Sequence, residues 1–265
     1  MANITPSELS ILLIEPSDTQ RKIIVGELEK AGITQITTAN NVAESIAIVD
    51  RHPPDLITSA MYFDDGTALD VLKHIKTSDK HADIAFMLVS SEYKKESLEE
   101  FKQSGVVALL PKPFTPEHLS AAINTTIDLL SPDEMELDYF DVNDIRVLLV
   151  DDSTLARNHI RRVLNNLGLQ KVTEAEDGKQ AIGILEDNMF DIVVTDYNMP
   201  EVDGRELTKY IREQSQQSHL PVLMVTSESS ETHLANIEQD GVNALCDKPF
   251  EPQFVKQLLF QLLQQ

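Results

Sequence analysis

The chain has one cysteine, Cys246, in 265 residues. No intrachain disulfide framework can form, and a lone thiol at the end of a core strand points to a reducing compartment. Only 22 lysines and arginines face 44 aspartates and glutamates, a formal net charge of −22. That shortage of base argues against nucleic acid as a partner, because phosphate backbones are held by surplus Lys and Arg. Glycine is scarce, at nine residues, and neither GxGxxG nor GxxxxGKS occurs, which argues against nucleotide loops. No apolar run approaches the roughly 20 residues of a membrane span, so no membrane insertion is expected. The opening MANITPSELS lacks the basic and apolar regions of a signal peptide. The seven histidines are scattered, with none at metal-ligand spacing. The expectation is an acidic cytoplasmic protein.

What is present points to two domains. Apolar residues make up 42% of the chain, enough for real cores, and 265 residues suit two domains of ordinary size. The halves also repeat. A shift of 136 residues places ILLIEPSDTQR from Ile11 on VLLVDDSTLAR from Val147, and KHIK from Lys73 on KYIR from Lys209. It also places MLVSSE from Met87 on LMVTSE from Leu223, and GVVALLPKPF from Gly105 on GVNALCDKPF from Gly241. This period is too long for a solenoid and reads as duplication of one domain. The expected division is a first domain over 9–130, an acidic linker over 131–144 and a second domain over 145–265. The linker holds six acids and no base, and its composition reads as a solvated spacer. Alternatively Leu137, Tyr139 and Phe140 pin it to one domain.

Each copy alternates short apolar runs with amphipathic stretches. In the second copy Val147–Val150, Val172–Ala175, Ile192–Thr195, Val222–Val225 and Ala244–Cys246 read as parallel strands buried on both faces. Helical spacing joins Ile160, Val163, Leu164 and Leu167, with Gly168 as a stop. It also joins Leu207 with Ile211, Leu234 with Ile237, and Phe254, Val255, Leu258, Leu259 and Leu262. Five βα units in about 120 residues predict an open, doubly wound α/β sheet. The functional crevice of such a sheet lies at the carboxyl ends of its strands.

Asp151 and Asp152 end the first strand of the second copy and Asp196 the third. Thr226 ends the fourth, and Lys248-Pro249 follows the fifth. Three carboxylates, a hydroxyl and an amine thus converge on one rim. Adjacent carboxylates repel unless a cation compensates. Oxygen ligands with a gap left for a phosphate suit Mg²⁺, and a single Lys offers compact charge to phosphate oxygens. Any one of these residues could be an ordinary solvated loop residue; five together fit that reading poorly.

With LLVDDS, DIVVTDYNMPEVDG, LMVTSE and CDKPF in that order, the second copy resembles a response-regulator receiver domain over residues 146–264. The intervals fit too: 30 residues separate Asp196 from Thr226 and 52 separate Asp196 from Lys248. The resemblance implies two flavodoxin-like (βα)5 domains in tandem, strand order 2-1-3-4-5. It implies that Asp196 accepts a phosphoryl group from a histidine kinase or a histidine phosphotransfer protein. Asp152 and Asp196 would ligate Mg²⁺ directly, Asp151 mainly through water, and the Asn198 backbone carbonyl would complete the protein ligands. Lys248 would pair with the phosphoryl oxygens and the Thr226 hydroxyl would hydrogen-bond them. Cis peptides are expected at Lys112-Pro113 and Lys248-Pro249. Asn198 and Glu228 occur as a pair in chemotaxis-type receivers, which implies a short-lived phosphoryl group.

One position departs from the family pattern. Three residues before the conserved Lys, where an aromatic switch often stands, this chain has Leu245. Arg157 and Arg161 on the first helix read either as solubilising or as a docking face for an acidic partner. Phe260 lies off the apolar stripe of the last helix. It is either a partly covered side chain or a contact with the first domain, a second subunit (a homodimer) or an effector.

In the first copy the site positions hold other residues. Asp151 and Asp152 become Glu15 and Pro16, Asp196 becomes Ala60, Asn198 becomes Tyr62, Gly204 becomes Ala68 and Thr226 becomes Ser90, while Lys248 remains as Lys112. A methyl group cannot accept phosphate, so this copy resembles a pseudo-receiver. Asp64 and Asp65 lie in the following loop, and Ser59 faces the other way along its strand.

Two other classes compete. A haloacid-dehalogenase-type phosphatase also uses Asp, Mg²⁺ and Lys, but needs a second Asp where Asn198 stands. A non-catalytic adaptor would use both domains as binding modules. No helix-turn-helix, cyclase or kinase motif is present, so output is expected through contact with a downstream protein effector. The further alternative is an N-terminal fragment of a larger regulator with a missing output domain.

Overall fold

The computed structural model describes residues 5–78, 80–92, 95–131, 135, 141–227 and 241–263. The helix expected through Leu234 and Ile237 lies outside the described residues, as do Glu228, Leu137, Tyr139 and Phe140. The chain divides into two units, Met1–Ser131 and Pro132–Gln265.

The first unit runs β1 (Ser10–Ile14), α1 (Asp18–Lys30), β2 (Gln35–Ala39), α2 (Val42–Arg51) and β3 (Leu56–Ser59). A short hairpin follows, β4 (Tyr62–Phe63) and β5 (Gly66–Thr67), then α3 (Ala68–Lys76), β6 (Ala85–Ser90), α4 (Lys95–Lys102), β7 (Ala108–Pro111) and α5 (Pro116–Leu130). Its sheet has the order β2-β1-β3-β6-β7.

The second unit runs β8 (Arg146–Val150), α6 (Thr154–Asn166), β9 (Lys171–Ala175), α7 (Gly178–Asp187), β10 (Ile192–Asp196) and α8 (Gly204–Glu213). It continues with β11 (Val222–Thr226), β12 (Ala244–Asp247) and α9 (Pro252–Leu263). The sheet order is β9-β8-β10-β11-β12, and every neighbouring pair is parallel. Both five-stranded sheets therefore have the doubly wound order 2-1-3-4-5 expected from the sequence.

The central strands are buried on both faces, as their continuous apolar runs require. Val147, Leu148, Leu149 and Val150 are all fully covered, as are Val222, Leu223, Met224 and Val225. The edge strand β9 alternates instead, with Lys171 and Thr173 exposed. Helix α6 starts where Ser153 accepts a hydrogen bond from Ala156 N at 3.2 Å. It buries Ile160, Val163 and Leu164, and closes at Gly168 with φ +96°. A side chain at Gly168 would be strained by that φ and would strike Val142 Cγ1 at 2.6 Å.

Helix α7 has no marked apolar spacing in the sequence. Its fully buried anchors are only Gly178, Ala181 and Leu185. The better local signal is its cap, Asp177, which accepts from Gln180 N at 2.7 Å. The linker is not solvated throughout. Met135 is buried and donates its N–H to Leu167 O at 3.0 Å, and Val142 is buried against Gly168. Among the described residues no helix is long and apolar enough to cross a membrane.

Candidate functional site

The crevice of the second unit opens where the chain leaves β8 and β10, neighbouring strands whose connections depart in opposite directions. Strand pairing brings their ends together. Asp151 follows β8, Asp196 ends β10 and Lys248 follows β12. The Lys248 ammonium lies 3.0 Å from Asp151 Oδ2 and 3.1 Å from Asp196 Oδ2. Carboxylate oxygens of Asp151, Asp152 and Asp196 lie within 4.8 Å of one another. Asp151 and Asp196 are buried, at 0% and 1% exposure, while Asp152 faces solvent.

The local backbone holds these groups in place. Ser153 N donates to Asp151 Oδ1 at 2.8 Å, and Tyr197 N donates to Asp196 Oδ1 at 2.9 Å. Thr226 is fully buried at the end of β11, and its carbonyl accepts from Lys248 N at 2.8 Å. Lys248-Pro249 is cis, as is Lys112-Pro113, matching the expectation from sequence. Asn198 sits in the loop after β10 and is exposed. The sequence-named residues Asp151, Asp152, Asp196 and Lys248 thus form one cluster, with Thr226 at its rim and Asn198 in the adjoining loop.

Two buried carboxylates share one ammonium, so their charges are incompletely balanced. Burial pushes the Asp196 carboxyl up to about 7; Lys248 opposes the shift and the Asp151 charge adds to it. Asp151 is raised as well, again by burial first and against the pull of Lys248. Asp196 Oδ2 meets Lys248 as an ion pair but accepts no hydrogen bond among the described residues. A buried, under-satisfied acidic oxygen beside two further carboxylates is a donor set that suits a hard dication such as Mg²⁺.

The sequence marked Gly204 as a site position without the reason for it, and left Gly178 and Glu201 unread. Gly204 and Gly178 let backbone approach backbone. A Cβ at Gly204 would lie 2.2 Å from the Asp196 carbonyl oxygen, and one at Gly178 would lie 2.5 Å from the Val202 carbonyl oxygen. Glu201, in the same loop, has φ 63°, a region that few side chains enter without strain. The signal was available: both glycines are replaced, by Ala68 and Val42, in the copy that lacks the acidic cluster.

Arg157 also differs from both of its sequence readings. It is buried, so it neither solubilises the helix nor presents a docking face. Its Nη1 donates to the Asp151 carbonyl at 2.6 Å. Arg161 is exposed and pairs with Glu174 at 2.9 Å. On α9, Val255, Leu259 and Leu262 of the expected stripe are buried and Leu258 is partly covered. Phe254, also placed on that stripe, is exposed like Phe260, because it lies at the start of the helix on its outer side.

In the first unit the same rim is closed differently. Lys112 Nζ pairs with the buried Glu15 Oε2 at 2.7 Å, one cation for one anion. Ala60, Met61, Ser90 and Lys112 line a cavity of about 250 Å³. The Ser90 hydroxyl reaches Met61 Sδ at 3.5 Å and accepts from Glu92 N at 3.0 Å. Asp65 is occupied elsewhere: its two oxygens accept from Val42 N at 3.0 Å and Ala43 N at 2.9 Å, at the start of α2. Ser59 is buried and donates to the Ala60 carbonyl at 2.8 Å. Neither residue is placed to substitute for a carboxylate at position 60.

A family model described as the response regulator receiver domain matches residues 11–124 and again 147–260. The chemotaxis protein CheY of Pseudomonas aeruginosa is 37% identical over 120 residues, 45% of this chain and 97% of that protein. Chemotaxis protein CheY-3 of Vibrio cholerae is 38% identical over 120 residues, 45% of this chain and 92% of that protein. Among solved structures, the receiver domain of a sensor histidine kinase from Pseudomonas aeruginosa has a magnesium ion coordinated in its active-site cleft. It is 28% identical with a TM-score of 0.43, over 46% of this chain and 98% of that one.

Proposed function

The chain belongs to the response-regulator receiver family, in two tandem copies, and from that premise we propose that Asp196 of the second copy is a phosphoryl acceptor. The observation that carries this reading is the cluster of Asp151, Asp152, Asp196 and Lys248 at the strand ends. An Asp196 carboxylate oxygen attacks phosphorus and forms an acyl-phosphate P–O bond. The P–N bond to a donor histidine breaks, and its imidazole nitrogen keeps the electron pair and takes up a proton. Lys248 holds the phosphoryl oxygens as its Asp196 partner becomes esterified, and the Thr226 hydroxyl donates to them. Phosphoryl transfer of this kind is mostly positioning and electrostatic stabilisation. Asp152 and Asp196 would hold Mg²⁺ directly, Asp151 through water, and the Asn198 carbonyl would complete the set. A dication there would neutralise charge on both the carboxylates and the phosphoryl group.

The donor in this reading is a histidine kinase or a phosphotransfer protein, and output passes to a protein effector by contact. The role is signalling rather than turnover of a substrate. The first copy acts as a binding module without an acceptor, and residues 131–144 connect the two. Incubation with acetyl phosphate and Mg²⁺, read by intact mass, should add one phosphoryl group per chain. No incorporation would favour a pure adaptor. Sustained hydrolysis of small phosphoesters would favour a phosphatase, which the Asn at position 198 argues against.

Restoring the acceptor to the first copy should not be enough. Ala60→Asp would stand beside Glu15, which Lys112 already neutralises, and Pro16, which offers no carboxylate. The labelling of Ala60→Asp is expected to stay at one group per chain. A second group would show that Glu15 alone suffices as an acidic partner.

A further inference from the structure

Asp152 is the exposed member of the carboxylate cluster, and among the described residues no hydrogen bond or ion pair holds its side chain. Its direction is therefore set by the main chain it stands on. That main chain is pinned at several points. Asp151 N donates to Ala175 O at 3.3 Å, and the Asp151 carboxylate is held by Ser153 N and Lys248. The plane of the Asp151–Asp152 peptide is fixed by the bond from Arg157 Nη1 to the Asp151 carbonyl, at 2.6 Å.

The Arg157 guanidinium is itself clamped. Nε donates to Glu174 Oε2 at 3.3 Å, Nη2 to Thr154 Oγ1 at 3.3 Å, and Glu176 Oε1 lies 3.6 Å away. Glu174 also takes the exposed Arg161. The planar fork of an arginine can serve a carbonyl and a carboxylate at once, which a lysine cannot.

The duplicate separates two parts of this arrangement. Arg21 occupies the matching place and donates to the Glu15 carbonyl at 2.8 Å. There the guanidinium is held by Asn40 Oδ1, at the place of Glu176, and by an ion pair with Asp18, while Thr38 stands at the place of Glu174, so only the Glu174 pair is missing. Position 152 is there Pro16, which has no carboxylate to aim. The arginine and its bond to the carbonyl thus belong to the common fold, and the pairing with Glu174 is what accompanies the acidic cluster.

We propose that Arg157, supported by Glu174, is a positioning residue: it fixes the Asp151–Asp152 peptide so that the Asp152 carboxylate faces the dication site. It touches neither the metal ligands' side chains nor the phosphoryl group. The inference rests on the acceptor-site reading above, since it takes that cluster to be a dication site. Groups of this kind change metal affinity by roughly 10- to 100-fold when removed.

The test is a Mn²⁺ titration of the full chain followed by electron paramagnetic resonance, with acetyl phosphate labelling alongside. Arg157→Ala should weaken Mn²⁺ binding by about tenfold or more. Arg157→Lys should fall between wild type and Arg157→Ala, and Arg21→Ala should match wild type. Circular dichroism identifies any variant that fails to fold. If Arg157→Ala does, Glu174→Gln and Arg157→Lys carry the test, both with weakened Mn²⁺ binding expected. Wild-type affinity in a folded Arg157→Ala, or in both of those substitutes, overturns the proposal. A wild-type chain that binds no Mn²⁺ overturns the acceptor-site reading and this proposal with it. A wild-type chain that binds Mn²⁺ but takes no label overturns only the phosphoryl-acceptor reading.

Discussion

Asp196→Asn is expected to abolish phosphoryl labelling and at the same time to stabilise the metal-free second unit at pH 8. The loss of label follows from the loss of the nucleophilic oxygen. The gain in stability follows from electrostatics. Two buried carboxylates, Asp151 and Asp196, stand against one buried ammonium. Removing one negative charge leaves Lys248 and Asp151 as a balanced pair. The Asp196 carboxyl is pushed up to about 7 from an ordinary 3.8. Between those values the folded chain holds a proton that the unfolded chain has released. Stability contributed by this group is therefore present below the lower value and lost as pH rises toward the upper one. Asparagine does not titrate, so the difference between variant and wild type should be near zero at pH 4 and full above pH 7. At roughly 1.4 kcal/mol per pKa unit, a difference of about 2–4 kcal/mol is expected at pH 8. For a unit of this size that corresponds to a rise in melting temperature of roughly 5–15 °C. Calorimetry in EDTA at the two pH values measures it. Adding Mg²⁺ should raise the wild-type melting temperature and leave Asp196→Asn nearly unchanged, because the dication supplies the compensation that Asn makes unnecessary. Equal melting temperatures at pH 8 in EDTA would show that the shared Lys248 already balances both carboxylates.

The parts of the molecule legible in the sequence were those set by local pattern. The five strands of the second unit follow β-branched runs and lie within a residue or so of their expected bounds. The acidic cluster was legible because strand ends in a doubly wound sheet fall on one rim, which makes distant residues such as Asp151, Asp196 and Lys248 neighbours. What was not legible depends on partners that no single position announces. Arg157 has the same spacing as any surface arginine on α6; only the approach of the Asp151 carbonyl and of Glu174 from β9 makes it a buried group. The linker reads as solvated because its acids dominate, yet Met135 and Val142 are buried. The hairpin of β4 and β5 has no counterpart in the second unit, although the two loops have equal length. It forms around Asp65, whose bonds to Val42 N and Ala43 N tie the loop to α2. Gly178 stands where Val42 does, and its N–H donates instead to the Val202 carbonyl at 3.1 Å. The same fold thus carries two loop paths, chosen by a few residues around an otherwise common frame.

Those loop paths make Gly204→Ala the most damaging small substitution expected in the second unit. Gly204 opens α8 and donates its N–H to Tyr197 O at 3.0 Å. An added Cβ would lie 2.2 Å from the Asp196 carbonyl oxygen, 3.1 Å from its carbonyl carbon and 3.2 Å from Tyr197 Cα. All three are backbone atoms, so no flexible side chain can move aside. Either α8 shifts outward or the end of β10 is displaced, and the latter carries the acceptor carboxylate with it. A cost of about 1–3 kcal/mol is the usual range for overpacking, and contact with main chain places this site at the upper end or above it. A drop in melting temperature of roughly 5–10 °C should accompany a loss of acetyl phosphate labelling at Asp196. The first unit supplies the internal control. Ala68 holds the same place, keeps the equivalent bond to Met61 O at 3.0 Å and is fully buried. There the loop follows the hairpin path, and position 60 has no carboxylate to hold in register. Ala68→Gly should therefore cost only about 1 kcal/mol, the ordinary helix penalty plus one buried methyl. If Gly204→Ala kept wild-type stability and labelling, the close approach of α8 to the β10 carbonyl would not be what positions Asp196.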